Sequence, residues 1–449
     1  MKNWFVFFCT LIFLSIFNSI IIYAQQSDTS SYFPLGLWGI WIDQNRPPFS
    51  RDLFENEWDN EIENWNDIQG NYLVYWIPYW VQDEVLAFAD ANGYKMDIAN
   101  WYYWSSQHSM LTNSLYYWMI YRPLSDSAQV TTIINNMKSE YGSHTGFYNY
   151  TFGQEGPVND PNLWPKVELI SRKIHELDPG RKSYMVSGWA PPQGFVDATP
   201  SLDILQMDAY FFFESVGQNY TDQQVALDNY LIQYNNTMNR LKNRHTEWHA
   251  IIQAQRENRQ IECPSRRRPN YYELRVQAYL ALSRGARGIT SFIYGSFPLG
   301  GGSLSEGESL VYSLPPAELP QSNMEDPCDI VLEYIGLVDV NRRPYDQFTD
   351  PDNIPGFQNL ADLYTEIQPI GSTVRKLKFY DAFPNTSIPS NNGIGIYSVS
   401  GNKIEIGTFK RMDEGSDSTN YFMVVNRVCN NSDGSVSSPQ SVNIVLNGY

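Results

Sequence analysis

Between residues 35 and 294, short β-prone runs alternate with amphipathic helical stretches, and no other feature restricts the fold as strongly. The runs are Leu35–Ile42, Tyr72–Ile77, Lys95–Ala99, Gly146–Phe152, Ser183–Ser187, Ile204–Tyr210, Ala250–Gln255 and Gly288–Tyr294. Strands separated by helices pair in parallel through crossovers, and a parallel sheet needs helices to cover it. The count matches a (β/α)8 barrel, the TIM-barrel architecture of the α/β class.

The intervening segments support this reading. Val130, Ile133, Ile134, Met137 and Tyr141 form one apolar stripe at helical spacing, and Leu163, Val167, Ile170, Ile174 and Leu177 form another. Asp160 and Pro161 are expected to open the second helix, and Pro179 with Gly180 to end it. A last stripe runs from Leu360 to Leu377, with Pro369 expected to bend or break its helix. These positions predict core.

The barrel is expected to occupy residues 32–379, with a Gly-, Ser- and Pro-rich insertion at about 296–355 that carries local structure or covers the mouth. Residues 380–449 read as a small all-β, sandwich-like domain. Its strands are few, so it is expected either to be incomplete or to complete its sheet against the barrel.

Residues 1–24 have the form of a secretory signal: Lys2, an apolar stretch from Phe5 to Ile22, and the small residue Ala24. A secreted, periplasmic or surface-associated mature chain is expected, with no later span. A net charge of -18 argues against a nucleic-acid partner. Of the four cysteines, Cys9 lies in the signal; Cys263 and Cys328 fall on neighbouring loops of one face and are expected to be bridged. No cofactor or metal is expected.

Strand order also maps chemistry, because the C-terminal ends of barrel strands and the loops after them build the active site. Those positions hold Asp43; Trp76 and Trp80; Trp101; Gln154 and Glu155; Trp189; Asp208 and Tyr210; Gln253, Gln255 and Glu257; and Tyr294. Carboxylates, amides and large rings in one rim suit a carbohydrate, whose hydroxyls need hydrogen-bonding partners and whose C–H faces lie well on aromatic rings. Neither a Gly-x-Ser-x-Gly elbow nor a His-Glu-x-x-His pair is present.

The segments "FYNYTFGQEGP", "LDILQMDAYFFF" and "RRPNYYELRVQAYLALSRGARGITSFIYGS" resemble glycoside hydrolases of the large retaining (β/α)8 clan. More closely, they are similar to β-galactosidase-like or endoglycosidase-like barrels of secreted bacterial polysaccharide-degrading systems. The resemblance implies Glu155 as general acid/base at the end of the fourth strand, with Gln154 where Asn is usual. It also implies a Glu nucleophile at the end of the seventh strand, where this chain has Gln253 and Gln255. An amide cannot form the glycosyl-enzyme, so three arrangements stand open. Glu257 is the nucleophile if the seventh strand runs further; Asp208 is a base; or the barrel binds glycan without cleaving it.

Overall fold

The computed structural model describes residues 32–41, 63–76, 82–99, 114–153, 155–212, 223–259, 266–293, 297–298, 331–338, 344–346, 348–351, 353–411, 419–428 and 441–446. Parallel strands β1 (Leu35–Trp41), β2 (Tyr72–Trp76), β3 (Lys95–Ala99), β4 (Phe147–Thr151), β5 (Lys182–Ser187), β6 (Ile204–Asp208) and β7 (Glu247–Gln253) follow one another around a closed barrel. An extra strand, β8 (Arg256–Arg259), comes next in the chain, and β9 (Ile289–Phe292) then closes the ring by pairing with both β7 and β1. All eight expected strands are present and in the expected order.

Helices fill the crossovers: α1 (Gln82–Asn92), α2 (Leu115–Tyr121), α3 (Ser127–Tyr141), α4 (Glu155–Asn159), α5 (Trp164–Leu177), α6 (Gln193–Ala198), α7 (Gln223–Leu241) and α8 (Tyr271–Ser283), with α9 (Gly356–Arg375) after β9. The period-2 alternation of each strand sorts side chains between two cores. On β5, Tyr184 and Val186 enter the barrel interior, whereas Met185 joins the layer beneath the helices. At Gly36 a side chain would collide with Thr290 and Tyr72, 2.6 and 2.8 Å from where its Cβ would lie, so glycine is required on β1.

Local chemistry sets the helix ends. Asn270 and Glu273 form a reciprocal capping box at the start of α8, and Arg267 binds the same Glu273 carboxylate at 2.6 and 2.7 Å. Asp160 does not cap α5. Its side chain accepts from Asn162 N–H at 2.9 Å and closes a turn, so the helix begins later, at Trp164. Pro369 does not break α9, which is continuous from Gly356 to Arg375. Ile367, Gly371 and Val374 flank the proline and are buried, so packing holds the turns that lose its hydrogen bond.

Two short strands lie within residues 296–355. β10 (Phe297–Pro298) and β11 (Val331–Ile335) join β8 in an antiparallel sheet. Because β8 starts three residues after β7 ends, this sheet lies beyond the C-terminal end of β7. Arg268 ties it down, donating to the carbonyls of Ala254 and Gly336 at 2.8 and 2.7 Å and pairing with Asp350 at 2.5 Å.

The helical region ends at Arg375 and the C-terminal β region begins at Leu377, inside the stripe read as helix. β12 (Leu377–Pro384), β14 (Ile404–Arg411) and β15 (Asn420–Asn426) form one sheet, and β13 (Ile396–Val399) and β16 (Ile444–Leu446) form another. Phe383, Ile394, Ile396, Val399, Ile404 and Ile406 fill the space between them. The other face of β14 meets the end of α8. Buried Glu405 pairs with buried Arg284 at 2.5 Å, and a side chain at Gly407 would run into the Ser283 carbonyl. Among the described residues, no helix is long and apolar enough to cross a membrane.

Candidate active site

The rim above β4 to β7 gathers several of the residues expected there. Pairing of β4 with β5 extends to Gly153, whose carbonyl accepts from Val186 N–H at 3.1 Å. Glu155 follows as the first residue of α4, on the loop that leaves the C-terminal end of β4. The orientation of the Glu155 side chain lies outside the described residues, as do Asp43, Trp80, Trp101, Gln154 and Tyr294. Trp76 is the last residue of β2. Cys263 and Cys328 also fall outside, and with them the expected disulfide.

Trp189 follows β5 and leaves 51% of its surface exposed, with its ring packed on Phe211 at 5.5 Å. Its loop is held from below: Gln233 of α7 accepts from Ala190 N–H at 3.1 Å, and Arg240 donates to the Ala190 carbonyl at 2.9 Å. An exposed indole on a fixed loop is a ready surface for an apolar sugar face.

Asp208 is the last residue of β6, half-buried, and accepts from the Tyr210 hydroxyl at 3.4 Å. The expected sixth strand ran on to Tyr210, but pairing stops at Asp208 and frees Tyr210 to stack on Phe292 at 5.3 Å. The Arg266 guanidinium also packs against this assembly, 5.1 Å from the Tyr210 ring centre. Arg266 in turn grips both Glu257 oxygens at 2.5 and 2.6 Å. Asp208, Tyr210, Arg266 and Glu257 thus form one connected group.

The seventh strand ends at Gln253, two residues earlier than expected. Glu257 does not extend it, because it belongs to β8 in the antiparallel sheet with β10 and β11. Its side chain is fully buried, with Gln255 Nε2 adding a further hydrogen bond at 3.0 Å. Gln253 is also committed. Its Oε1 accepts from Phe212 N–H at 3.1 Å, and its Nε2 donates to the carbonyls of Arg267 and Phe212 at 2.9 and 3.2 Å. Both glutamines serve as buried connectors of the rim.

Below the rim lies a polar floor that strand patterning alone did not mark as special. Asp97 of β3 is fully buried and accepts from the hydroxyl of Tyr72, whose oxygen accepts from Asn149 Nδ2 at 3.1 Å. Burial pushes the Asp97 carboxyl up to about 7, against the opposing effect of Tyr72, Asn149 and Thr151. Tyr184 donates to Gln206, and Gln206 donates to Thr290 at 2.7 Å. Burial raises the Tyr184 phenol far above its ordinary value, with Asp97 and Asp208 adding to the effect. A charged residue at an inward position of "KMDIA" was the available signal for this floor.

At the opposite end of the barrel, His175, Asp203 and His245 converge with their ligand atoms within 4.8 Å of one another. None was singled out in sequence, since 28 and 42 residues separate the two histidines from Asp203.

No protein-family model matches the chain, and no curated protein matches it. Solved structures similar to it include a β-D-glucuronidase of Dictyoglomus thermophilum, 11% identical over 75% of this chain and 50% of that one, with a TM-score of 0.46. A GH2 β-galacturonidase from Eisenbergiella tayi bound to galacturonate is 13% identical over 74% and 51%, with a TM-score of 0.44. A Ruminococcus gnavus β-glucuronidase is 9% identical over 75% and 51%, with a TM-score of 0.45. The chain spans about half the length of these proteins. Its barrel architecture stands on the strand topology described above.

Proposed function

We propose that this chain is a secreted glycoside hydrolase acting on a poly- or oligosaccharide, with Glu155 as general acid/base. The observation that carries the reading is the strand order of the closed barrel, in which Glu155 follows β4 and Asp208 ends β6 on the rim where barrel enzymes do their chemistry. Trp189 supplies an exposed ring on the same rim.

Asp208 is the better second carboxylate. It is half-buried at the mouth, whereas the Glu257 carboxylate is buried and gripped by Arg266 and Gln255. With Asp208 as base, a carboxyl separation of about 6.5–9.5 Å gives inversion through a bound water. Glu155 would protonate the leaving oxygen, and Asp208 would take the proton of the attacking water. Glu257 then positions Arg266 against Tyr210, the hydroxyl that contacts Asp208.

The experiment is a screen of plant, algal and host polysaccharides with detection of new reducing ends. Release that disappears in Glu155→Gln and Asp208→Asn supports the assignment; undiminished release by Glu155→Gln refutes it.

A second reading, a glycan-binding barrel without turnover, is favoured by one feature. Gln253 occupies the end of β7 and its amide is fully engaged in structure. Binding to an immobilised glycan with no new ends, equal in wild type and Glu155→Gln, would select it.

A further inference from the structure

We propose that His175, Asp203 and His245 form a binding site for one divalent transition-metal ion of the zinc class, which clamps the N-terminal end of the barrel. The three residues come from three elements: His175 from the last turn of α5, Asp203 from the residue before β6, and His245 from the turn before β7. Both imidazoles direct the same nitrogen at one carboxylate, His175 Nε2 to Oδ2 and His245 Nε2 to Oδ1, each at 2.7 Å. The rings stand at 90° with centres 6.2 Å apart, so the two Nε2 atoms converge on the carboxylate from different directions.

Two imidazole nitrogens and a carboxylate oxygen are the donor set that zinc, cobalt, nickel and copper favour. Bonds of about 2.0–2.2 Å to one ion require the ligand atoms to lie roughly 3–3.5 Å apart. The present spacing, within 4.8 Å, reaches that by small side-chain rotations. Each imidazole then carries its proton on Nδ1 and offers the Nε2 lone pair. The ion replaces the hydrogens that now join the rings to Asp203.

The carboxylate is already oriented as a ligand should be. Ser183 holds Asp203 Oδ2 through its N–H at 2.8 Å and its hydroxyl at 2.9 Å, the kind of supporting contact that fixes metal ligands. The histidine side chains are 38% and 25% exposed, which leaves an entry path and a position for water. Since the site lies at the end of the barrel opposite the rim, its expected role is stability rather than chemistry.

The test uses the full chain without an affinity tag, stripped of metal and titrated with Zn2+ by calorimetry. Expected are one ion per chain and a rise in Tm that saturates at that stoichiometry. Both are lost in His175→Ala and His245→Ala and retained in His144→Ala, whose ring pairs with Asp90 elsewhere. A Cu2+ complex of the wild type, which needs no variant to fold, should show electron-spin couplings to two nitrogens and no thiolate band. Absence of binding, binding undiminished in the double histidine variant, or a thiolate signature would overturn the proposal.

Discussion

Asp97→Asn should stabilise the protein at neutral and higher pH while leaving it little changed in acid. The Asp97 carboxyl ordinarily titrates near 3.8 and is raised to about 7 by burial in the barrel floor. Between those values the unfolded chain has released the proton and the native chain still holds it. Native stability from this group is therefore full below about pH 4, falls as the pH rises, and levels off above about 7. A difference of about 3 pKa units at about 1.36 kcal/mol each sets the loss at roughly 4 kcal/mol. The amide removes the ionisation and keeps an acceptor for the Tyr72 hydroxyl. It also supplies N–H donors in the neighbourhood of Asn149 Oδ1, a buried acceptor with no partner among the described residues. The assay is urea unfolding followed by tryptophan fluorescence, for both proteins, between about pH 4.5 and pH 8. The stability difference should widen in favour of the variant across that range. Parallel profiles would refute the reasoning, since they would mean that Asp97 is not held protonated.

Trp189→Ala should weaken binding of a responsive glycan by about 1 kcal/mol through KM, with Tm unchanged because the ring is half exposed; an unchanged KM would remove Trp189 from the cleft. Arg284→Met leaves the buried Glu405 charge without its α8 partner and should cost about 3–5 kcal/mol, measured by denaturant unfolding. Glu257→Gln should lower Tm by releasing Arg266 and leave kcat within a few-fold; a fall in kcat of roughly 10³-fold or more would restore Glu257 as the nucleophile.

The barrel was legible because its signal is distributed: each strand is a β-prone run bounded by helical stripes, and the order of the runs is the order of the staves. Strand limits were less legible where side chains find distant partners. β7 begins at Glu247 rather than at Ala250, because Glu247 is neutralised by Arg375 of α9 at 2.8 Å and by Lys182 at 3.6 Å. A half-buried carboxylate reads as a loop residue until that arginine, 128 positions away, is in place. The same holds at the rim. Asp208, Tyr210 and Trp189 could be placed from strand order, but the engagement of Gln253 with Phe212 and Arg267 could not. Nor could β8, since "RENR" lacks apolar alternation and is a strand because β11 and the Arg266 backbone supply its partners.

The two-sided burial of β14 reaches beyond stability. Ile404 and Ile406 belong to the sandwich interior, and the residues between and beside them, Glu405 and Gly407, belong to the junction with α8. This strand therefore answers to two sets of neighbours at once. A replacement at Glu405 is tolerable only with a matching one at Arg284 and at Arg427, which holds the other carboxylate oxygen at 3.1 Å. The β region consequently cannot be exchanged as a module at a cut near Tyr380. A chimera that keeps this barrel must inherit the complementary face of β14 as well, so related chains should preserve the junction as a unit while their outer sheets diverge.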